Sequence, residues 1–287
     1  MTLSVVIITY NEEANIGRTL KSVLPLVASG HGEIILVDSG STDRTVEIAR
    51  SLGAQVFIEQ WKGYAAQKNS AIAKASGDWI LSLDADEEVE SELVSEIATI
   101  VGVKPADPSS AVAGKPWCLT LENRPLARGP SASEVYGYWI PRKNFFLGRW
   151  IRHGGFWPDR KLRLFRRDTG HIAERAVHEV IKVNGRTGRL EHALLHHAYP
   201  TLAGYTDHMN RYSSLGAEMA VAEGHRGFSF VDIFVRPLAT FIYNYFFRLG
   251  FLDGREGLLL HLYHAVYVSW KYAKVWELSR TKPTAND

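Results

Sequence analysis

The chain has 287 residues, 46% of them hydrophobic, which suits one large domain or one domain with an appendage and excludes a disordered polymer. Its net charge of +2 argues against a general nucleic-acid binder, although acids concentrate around 84 to 96 and bases between Arg142 and Arg167. The single cysteine, Cys118, excludes an internal disulfide and fits a reducing compartment, and with no charged and apolar leader before Ser4 no secretory signal is expected.

In chain order, the first hundred residues repeat strand, polar turn, helix. Ser4 to Thr9 is a predicted buried strand, followed by Tyr10-Asn11-Glu12-Glu13 and a helix with Ile16, Leu20, Val23, Leu24 and Val27 on one face. Glu33 to Val37 is the second strand and ends in Asp38-Ser39-Gly40-Ser41-Thr42-Asp43; Val46, Ala49 and Leu52 open the next helical face. Gln55 to Ile58 is a third, shorter strand, and a helix around Ala65 to Ala75 follows. Trp79 to Leu83 is apolar without alternation, the pattern of a strand buried on both faces, and it runs straight into Asp84-Ala85-Asp86-Glu87-Glu88. Ser91 is then expected to cap a helix carrying Leu93, Val94, Ile97, Ile100 and Val101.

Strands alternating with helices of this length imply right-handed crossovers and a parallel sheet. In such a sheet ligands bind at the carboxyl ends of the strands, where Thr9-Tyr10, Asp38 and Asp84 are expected to meet. Two carboxylates one residue apart suit a hard divalent ion that also grips phosphate oxygens; a solvated acidic helix start would look the same. No Gly-x-Gly-x-x-Gly or Gly-Lys-Ser/Thr loop is present, so neither a dinucleotide fingerprint nor a P-loop holds a nucleotide here.

Val5-Val6-Ile7-Ile8-Thr9-Tyr10-Asn11-Glu12, Val37 to Asp43, Gln67-Lys68-Asn69 and Leu83 to Glu87 resemble, in this order, the family 2 glycosyltransferases of GT-A fold. The resemblance implies an α/β class, a Rossmann-like, mostly parallel sheet flanked by helices, and an inverting transferase that uses a uridine diphosphate sugar and a divalent cation, Mg2+ or Mn2+. It further implies that Tyr10 and Glu12 line the donor base and ribose, with Thr9 a further donor-binding residue, that Asp38 meets the base, and that Lys68 stands near the donor. Asp84 would meet the ribose or metal, and Asp86 would ligate the metal that holds the diphosphate. For Asp38 a helix-capping or turn residue, and for Lys68 an exposed helix lysine, are the plain structural alternatives.

Residues 1–103 then form the nucleotide-sugar half, 104–200 the acceptor half of the same domain, and 201–287 a helical extension. Pro105, Pro108, Gly114 and Pro116 punctuate a loop before a strand expected at Trp117 to Leu121. Tyr136 to His153 is dense in aromatic and basic residues, among them Arg142, Arg149 and Trp150; aromatic faces suit sugar rings and arginines suit anionic groups, while buried aromatics of a strand pair would give the same composition. Arg160 to Arg167 is expected to show one apolar and one cationic face. An inverting transfer needs a base opposite the leaving group; Glu179 of Val177-His178-Glu179 is the candidate, Glu174 the alternative, and His178 a candidate acceptor contact. His178, His196 and His197 lack the spacing of metal ligands on one element and are expected to be ordinary histidines.

Gly204 to Glu223 reads as a polar helix. Phe228 to Gly250 and Leu258 to Trp276 are aromatic-rich but interrupted by charge, so they do not read as membrane spans; an interfacial helix and a helical pair packed on the domain or on a second subunit both remain open. Phe251 to Gly257 and Lys271 to Glu277, with Val177-His178-Glu179, resemble the bacterial lipopolysaccharide core glucosyltransferases of the subfamily labelled WaaE or KdtX. That resemblance implies glucose transfer to an inner-core sugar of a glycolipid, by a peripheral protein at the cytoplasmic face of the inner membrane. A polyprenyl-phosphate glycosyltransferase and a non-catalytic glycan- or membrane-binding module are the competing readings.

Overall fold

The computed structural model describes residues 2–28, 30, 32–103, 135–173 and 180–281. Four parallel strands form its centre: β1 (Leu3–Thr9), β2 (Gly32–Asp38), β3 (Gln55–Ile58) and β4 (Trp79–Asp84). Helices α1 (Ile16–Val27), α2 (Thr45–Ser51) and α3 (Tyr64–Ala73) connect them. Leu3, Val5, Ile7, Leu36, Leu81 and Leu83 pack with Ile16, Leu20 and Val23 of α1 in one core, while Val6, Ile35, Val37 and Ile80 belong to a second. Apolar side chains on both faces explain why these strands read as unbroken hydrophobic runs. Gly77, just before β4, is required by crowding, since a Cβ there would lie 2.7 Å from the Ser4 backbone nitrogen.

The remaining strands are β5 (Glu87–Val89), β6 (Val135–Phe146), β7 (Arg149–Trp150), β8 (Asp159–Arg166), β9 (Gly170–Ala173), β10 (Val180–Val183), β11 (Arg186–Arg189) and β12 (Leu194–Tyr199), with α4 (Ser91–Val101) after β5. The main sheet runs β3-β2-β1-β4-β8-β6-β12-β5, and β8 lies antiparallel to β4; β9 and β10 make a separate antiparallel pair. Ser91 does not cap α4: Glu90 holds the cap position and the Ser91 hydroxyl bonds the Glu92 carboxylate instead. The expected alternation in β8 also fails, because Leu162, Arg163, Leu164 and Phe165 are all buried. The strand lies inside the sheet, and Arg163 is kept there by acids rather than by solvent. The strand expected at Trp117 to Leu121 falls outside the described residues.

The described residues divide into two compact units, one of 2–103, 135–142, 160–173 and 180–195, the other of 143–159 and 196–281. The second contains α5 (Leu202–Ala222), α6 (Arg236–Ile242) and α7 (Gly254–Thr281). Thr201 caps α5 by accepting a bond from the Gly204 amide at 3.1 Å. π-Helical turns, Val231–Val235 and Tyr243–Phe247, flank α6. Pro237 has no N–H to give the carbonyl four residues back, and the Arg236 amide bonds Val231 five residues back. Within Phe251 to Gly257, Asp253 is buried and accepts bonds from the Arg152 and His153 amides and from the His153 ring, at 2.8 to 3.2 Å. That carboxylate ties the 152–153 turn to the start of α7.

Candidate active site

The parallel register sets Thr9 beside Asp38 and Ile8 beside Asp84, so the polar ends of β1, β2 and β4 share one edge, as expected. The turns beyond β1 and β2 are locked together. Asn11, at φ 54°, donates its amide to the Ser41 hydroxyl at 2.8 Å and accepts the Thr42 amide at 2.8 Å. Asparagine tolerates that left-handed conformation better than most side chains. The Glu12 amide donates to Thr45 at 2.7 Å and the Glu13 amide to Asp43 at 3.1 Å. Asp38 is buried and accepts four bonds, from the Thr9 and Ser41 hydroxyls and from the Gly40 and Ser41 amides. Its carboxylate thus shapes the turn, and a contact with a donor base would have to replace or share one of these bonds. Tyr10 is 59% exposed beside it, free of burial on this edge.

A compact charge network lies at the end of β4. Lys68 is buried on α3 and places Nζ 2.8 Å from Asp84 Oδ1. Arg163 on β8 pairs with the other oxygen of Asp84 and lies 2.6 Å from Glu87 Oε1. Arg142 on β6 is 2.9 Å from the same Glu87 oxygen and 4.0 Å from Asp84. Glu87 is completely buried, and its second oxygen accepts the Asp84 amide at 3.0 Å. Burial by itself would raise the pKa of Asp84, but Arg163, then Lys68 and Arg142, hold it well below the usual carboxylate range. Burial opposes the charge on Arg163 too, and Asp84 and Glu87 outweigh it.

Sequence reasoning missed Arg163 and Glu87. It placed Arg142 with the acceptor residues, and the structure sets its guanidinium on Glu87. The available signal was an acid cluster directly after a fully buried strand, which needs cations near it.

Asp86 is half-buried two residues past the network's Asp84. The pKa of Glu12 is raised, first by burial and then by Asp86, Asp43 and Asp84, so negative charge accumulates between the first turn and the Asp-x-Asp segment. Among the described residues no three acidic, histidine or cysteine side chains make a ligand cage. A magnesium-like ion needs none, because it keeps waters and binds one or two carboxylates together with phosphate oxygens. The oxygen donors of Asp86, next to an acid-rich turn, fit such an ion; Asp84, whose two oxygens are already paired with Lys68 and Arg163, would join it only by sharing one of them.

In the second unit, Trp150 has the Arg152 guanidinium 4.1 Å and the Lys143 ammonium 5.0 Å from its ring centroid, and Trp157 packs edge-on at 5.3 Å. Arg149 lies 3.7 Å from Glu256. His196 contacts Asn144 at 2.6 Å and His197 stacks on Phe145. Glu174, His178 and Glu179 lie outside the described residues.

The family model for Glycosyl transferase family 2 matches residues 4–170, more than half of the 287-residue chain. The chain belongs to glycosyl transferase family 2. A glycosyltransferase of Rickettsia typhi is 30% identical over 283 residues, covering 96% of this chain and 87% of the relative. The lipopolysaccharide core biosynthesis glycosyltransferase LpsC of Rhizobium meliloti is 27% identical over 298 residues, covering 100% of this chain and 96% of the relative. Among solved structures, the mannosyltransferase PcManGT of Pyrobaculum calidifontis, in complex with GDP-Man and Mn2+, aligns with a TM-score of 0.52 at 14% identity, over 98% of this chain and 88% of its own. At that identity the likeness is one of fold, the GT-A arrangement of a central sheet flanked by helices. In this family 2 chain the network lies at the carboxyl ends of the parallel strands, the edge at which open α/β sheets generally bind ligands.

Proposed function

We propose that this family 2 glycosyltransferase is an inverting enzyme that moves a hexose, glucose being the first candidate, from a uridine diphosphate sugar to an inner-core sugar of lipopolysaccharide. The observation that carries this reading is the end-to-end similarity to LpsC, which extends through the acceptor-side and C-terminal residues as well as the donor half. On this reading the reaction takes place at the cytoplasmic face of the inner membrane, with the protein bound peripherally.

In this mechanism Thr9, Tyr10, Glu12 and Asp38 bound the base and ribose. Asp86, with Asp84, would hold Mg2+ or Mn2+, which when bound neutralises charge on the diphosphate. Lys68, Arg142 and Arg163 supply fixed positive charge next to Asp84, where a departing nucleoside diphosphate gains negative charge. Glu179 takes the proton from the attacking acceptor hydroxyl, with Glu174 as the alternative; the new bond forms from that oxygen to the anomeric carbon as the bond to the diphosphate breaks on the opposite face. Arg149, Trp150 and His178 contact the anionic acceptor.

The test is nucleoside diphosphate release from a panel of sugar donors, with and without a divalent ion and a truncated lipopolysaccharide acceptor. Release that needs uridine diphosphate glucose, metal and acceptor supports the reading. Turnover restored only by a polyprenyl phosphate overturns the acceptor assignment, and silence with every donor overturns the enzyme. Glu179→Gln should lower kcat far more than it weakens donor binding; the opposite split removes Glu179 as the base.

A further inference from the structure

Residues 226 to 255 carry an unusual distribution of side chains. Along the helical run from Val231 to Phe247, Ile233 and Pro237 are buried, and residues at the same four-residue spacing, Phe241 and Tyr245, are half-buried. The opposite face should be polar in a helix that meets only water. Instead the sides away from that stripe present Phe230, Phe234, Leu238, Phe246 and Phe247, all exposed, with Phe247 at 75% and Phe230 at 62%. Phe230 stacks on Phe234 with centroids 4.8 Å apart, and Phe246 packs on Tyr245 and Phe241, so these are clustered rings rather than a scatter of single side chains. The following turn adds Leu249, Phe251 and Leu252, also exposed. Patches of this kind mark a partner surface.

We propose that this face docks on an anionic phospholipid bilayer, lying in the headgroup region rather than crossing it. Among the described residues no helix is long and apolar enough to cross a membrane. Aromatic residues with interspersed arginines are the composition of helices that rest in the interface. Charge selects the occupant. Arg226, Arg236, Arg248 and Arg255 are all exposed, while the acids in the same stretch are Asp232, bonded to Arg236 at 2.7 Å, and the buried Asp253. A second copy meeting this patch about a two-fold axis would set an arginine-bearing face against itself. An anionic headgroup layer complements it. The inference deepens the peripheral location proposed above by naming the contact face, and it can be tested without donor or acceptor.

Full-length protein is floated with phosphatidylcholine vesicles and with vesicles that also contain phosphatidylglycerol. Flotation with the mixed vesicles and little with phosphatidylcholine alone is expected. Phe246→Ser/Phe247→Ser should reduce partitioning by about tenfold or more, given the apolar area that would no longer leave water. Arg226→Glu/Arg255→Glu should abolish the preference for phosphatidylglycerol. All of these side chains are exposed, so each variant should melt with the wild type and turn over soluble truncated acceptor at the wild-type rate. Failure of the wild type to float with either vesicle overturns the proposal, as does a dimer in sedimentation that the phenylalanine pair disrupts. Equal flotation with both vesicles overturns its anionic half. Absence of turnover by the wild type, with its vesicle binding intact, would instead count against the enzymatic reading alone.

Discussion

Glu87 offers the sharpest test of how the site is held. It is fully buried, and Arg163 and Arg142, at 7% and 12% side-chain exposure, converge on one of its oxygens while the other holds the Asp84 amide. Glu87→Gln keeps the size and one acceptor oxygen but removes the charge. Lys68, Arg142 and Arg163 would then face Asp84 alone. Removing one partner of a buried, hydrogen-bonded ion network costs about 3–5 kcal/mol, because the cations left behind remain desolvated. With about 2–4 °C of Tm per kcal/mol for a domain of this size, the variant should melt about 6–20 °C below the wild type. Added salt should close little of that gap, since buried pairs are weakly screened. Glu87→Asp, which restores the charge one methylene short, should recover part of the loss. Calorimetry reads all three proteins. A Glu87→Gln melting point within about 2 °C of the wild type would refute the view that this carboxylate organises the arginines.

Three further outcomes follow from other parts of the chain. Asp86→Asn should abolish metal-dependent turnover while the protein still melts near the wild-type temperature; full activity would remove Asp86 from any metal role. Lys74, then Ser70 and Lys62, bond the Glu59 carboxylate and bring its pKa down from 4.5 to about 2. Because the folded value lies below the unfolded one, its stabilisation is complete above the unfolded pKa and is lost as pH falls. The melting difference between wild type and Glu59→Gln should therefore be largest at neutral pH and close between about pH 4.5 and 2, and a constant difference would be inconsistent with this. Asn69 donates to the Ile172 carbonyl at 2.9 Å and accepts its amide at 3.0 Å, fastening β9 to α3. Asn69→Ala should cost about 1–3 kcal/mol and speed exchange of the Ile172 amide; unchanged protection would show that the tie is idle.

The central strands were legible because burial on both faces leaves a direct record in composition: Val5 to Ile8 and Trp79 to Leu83 contain almost nothing but apolar residues. The convergence of Thr9, Asp38 and Asp84 followed from parallel topology alone. β8 defeated the same logic. Local pattern assigns Arg163 to water because its neighbours Leu162 and Leu164 are apolar, yet its partners are 76 and 79 residues away in sequence, and no local signal reports them. The turns around α6 were equally hidden, since a shift from i→i−4 to i→i−5 bonding changes no residue type; only Pro237 hints at it. The exposed face of that helix was half-legible, as aromatic content, but its direction required knowing that Ile233 and Pro237 turn inward.

The charge network also explains why a buried salt-bridge cluster belongs at this edge of the sheet. Desolvating three cations and two carboxylates is costly, and an apolar core of equal volume would stabilise the fold as well or better. What apolar residues cannot do is hold positive charge in fixed positions before a reaction begins. Glu87 fixes Arg142 and Arg163 from the buried side, while Asp84, still 32% exposed in its side chain, is the member of the network open to solvent. In the reaction proposed above, a preorganised cationic wall behind one accessible carboxylate would meet its reorganisation cost during folding rather than at the moment of transfer. This predicts an asymmetry between the two acids. Asp84→Asn should damage catalysis more than stability, because water already reaches this half-buried side chain, whereas Glu87→Gln, at a fully buried one, should damage stability at least as much as catalysis. Equal effects of the two substitutions on Tm would refute the asymmetry, and unchanged kcat in both would mean that the network is purely structural.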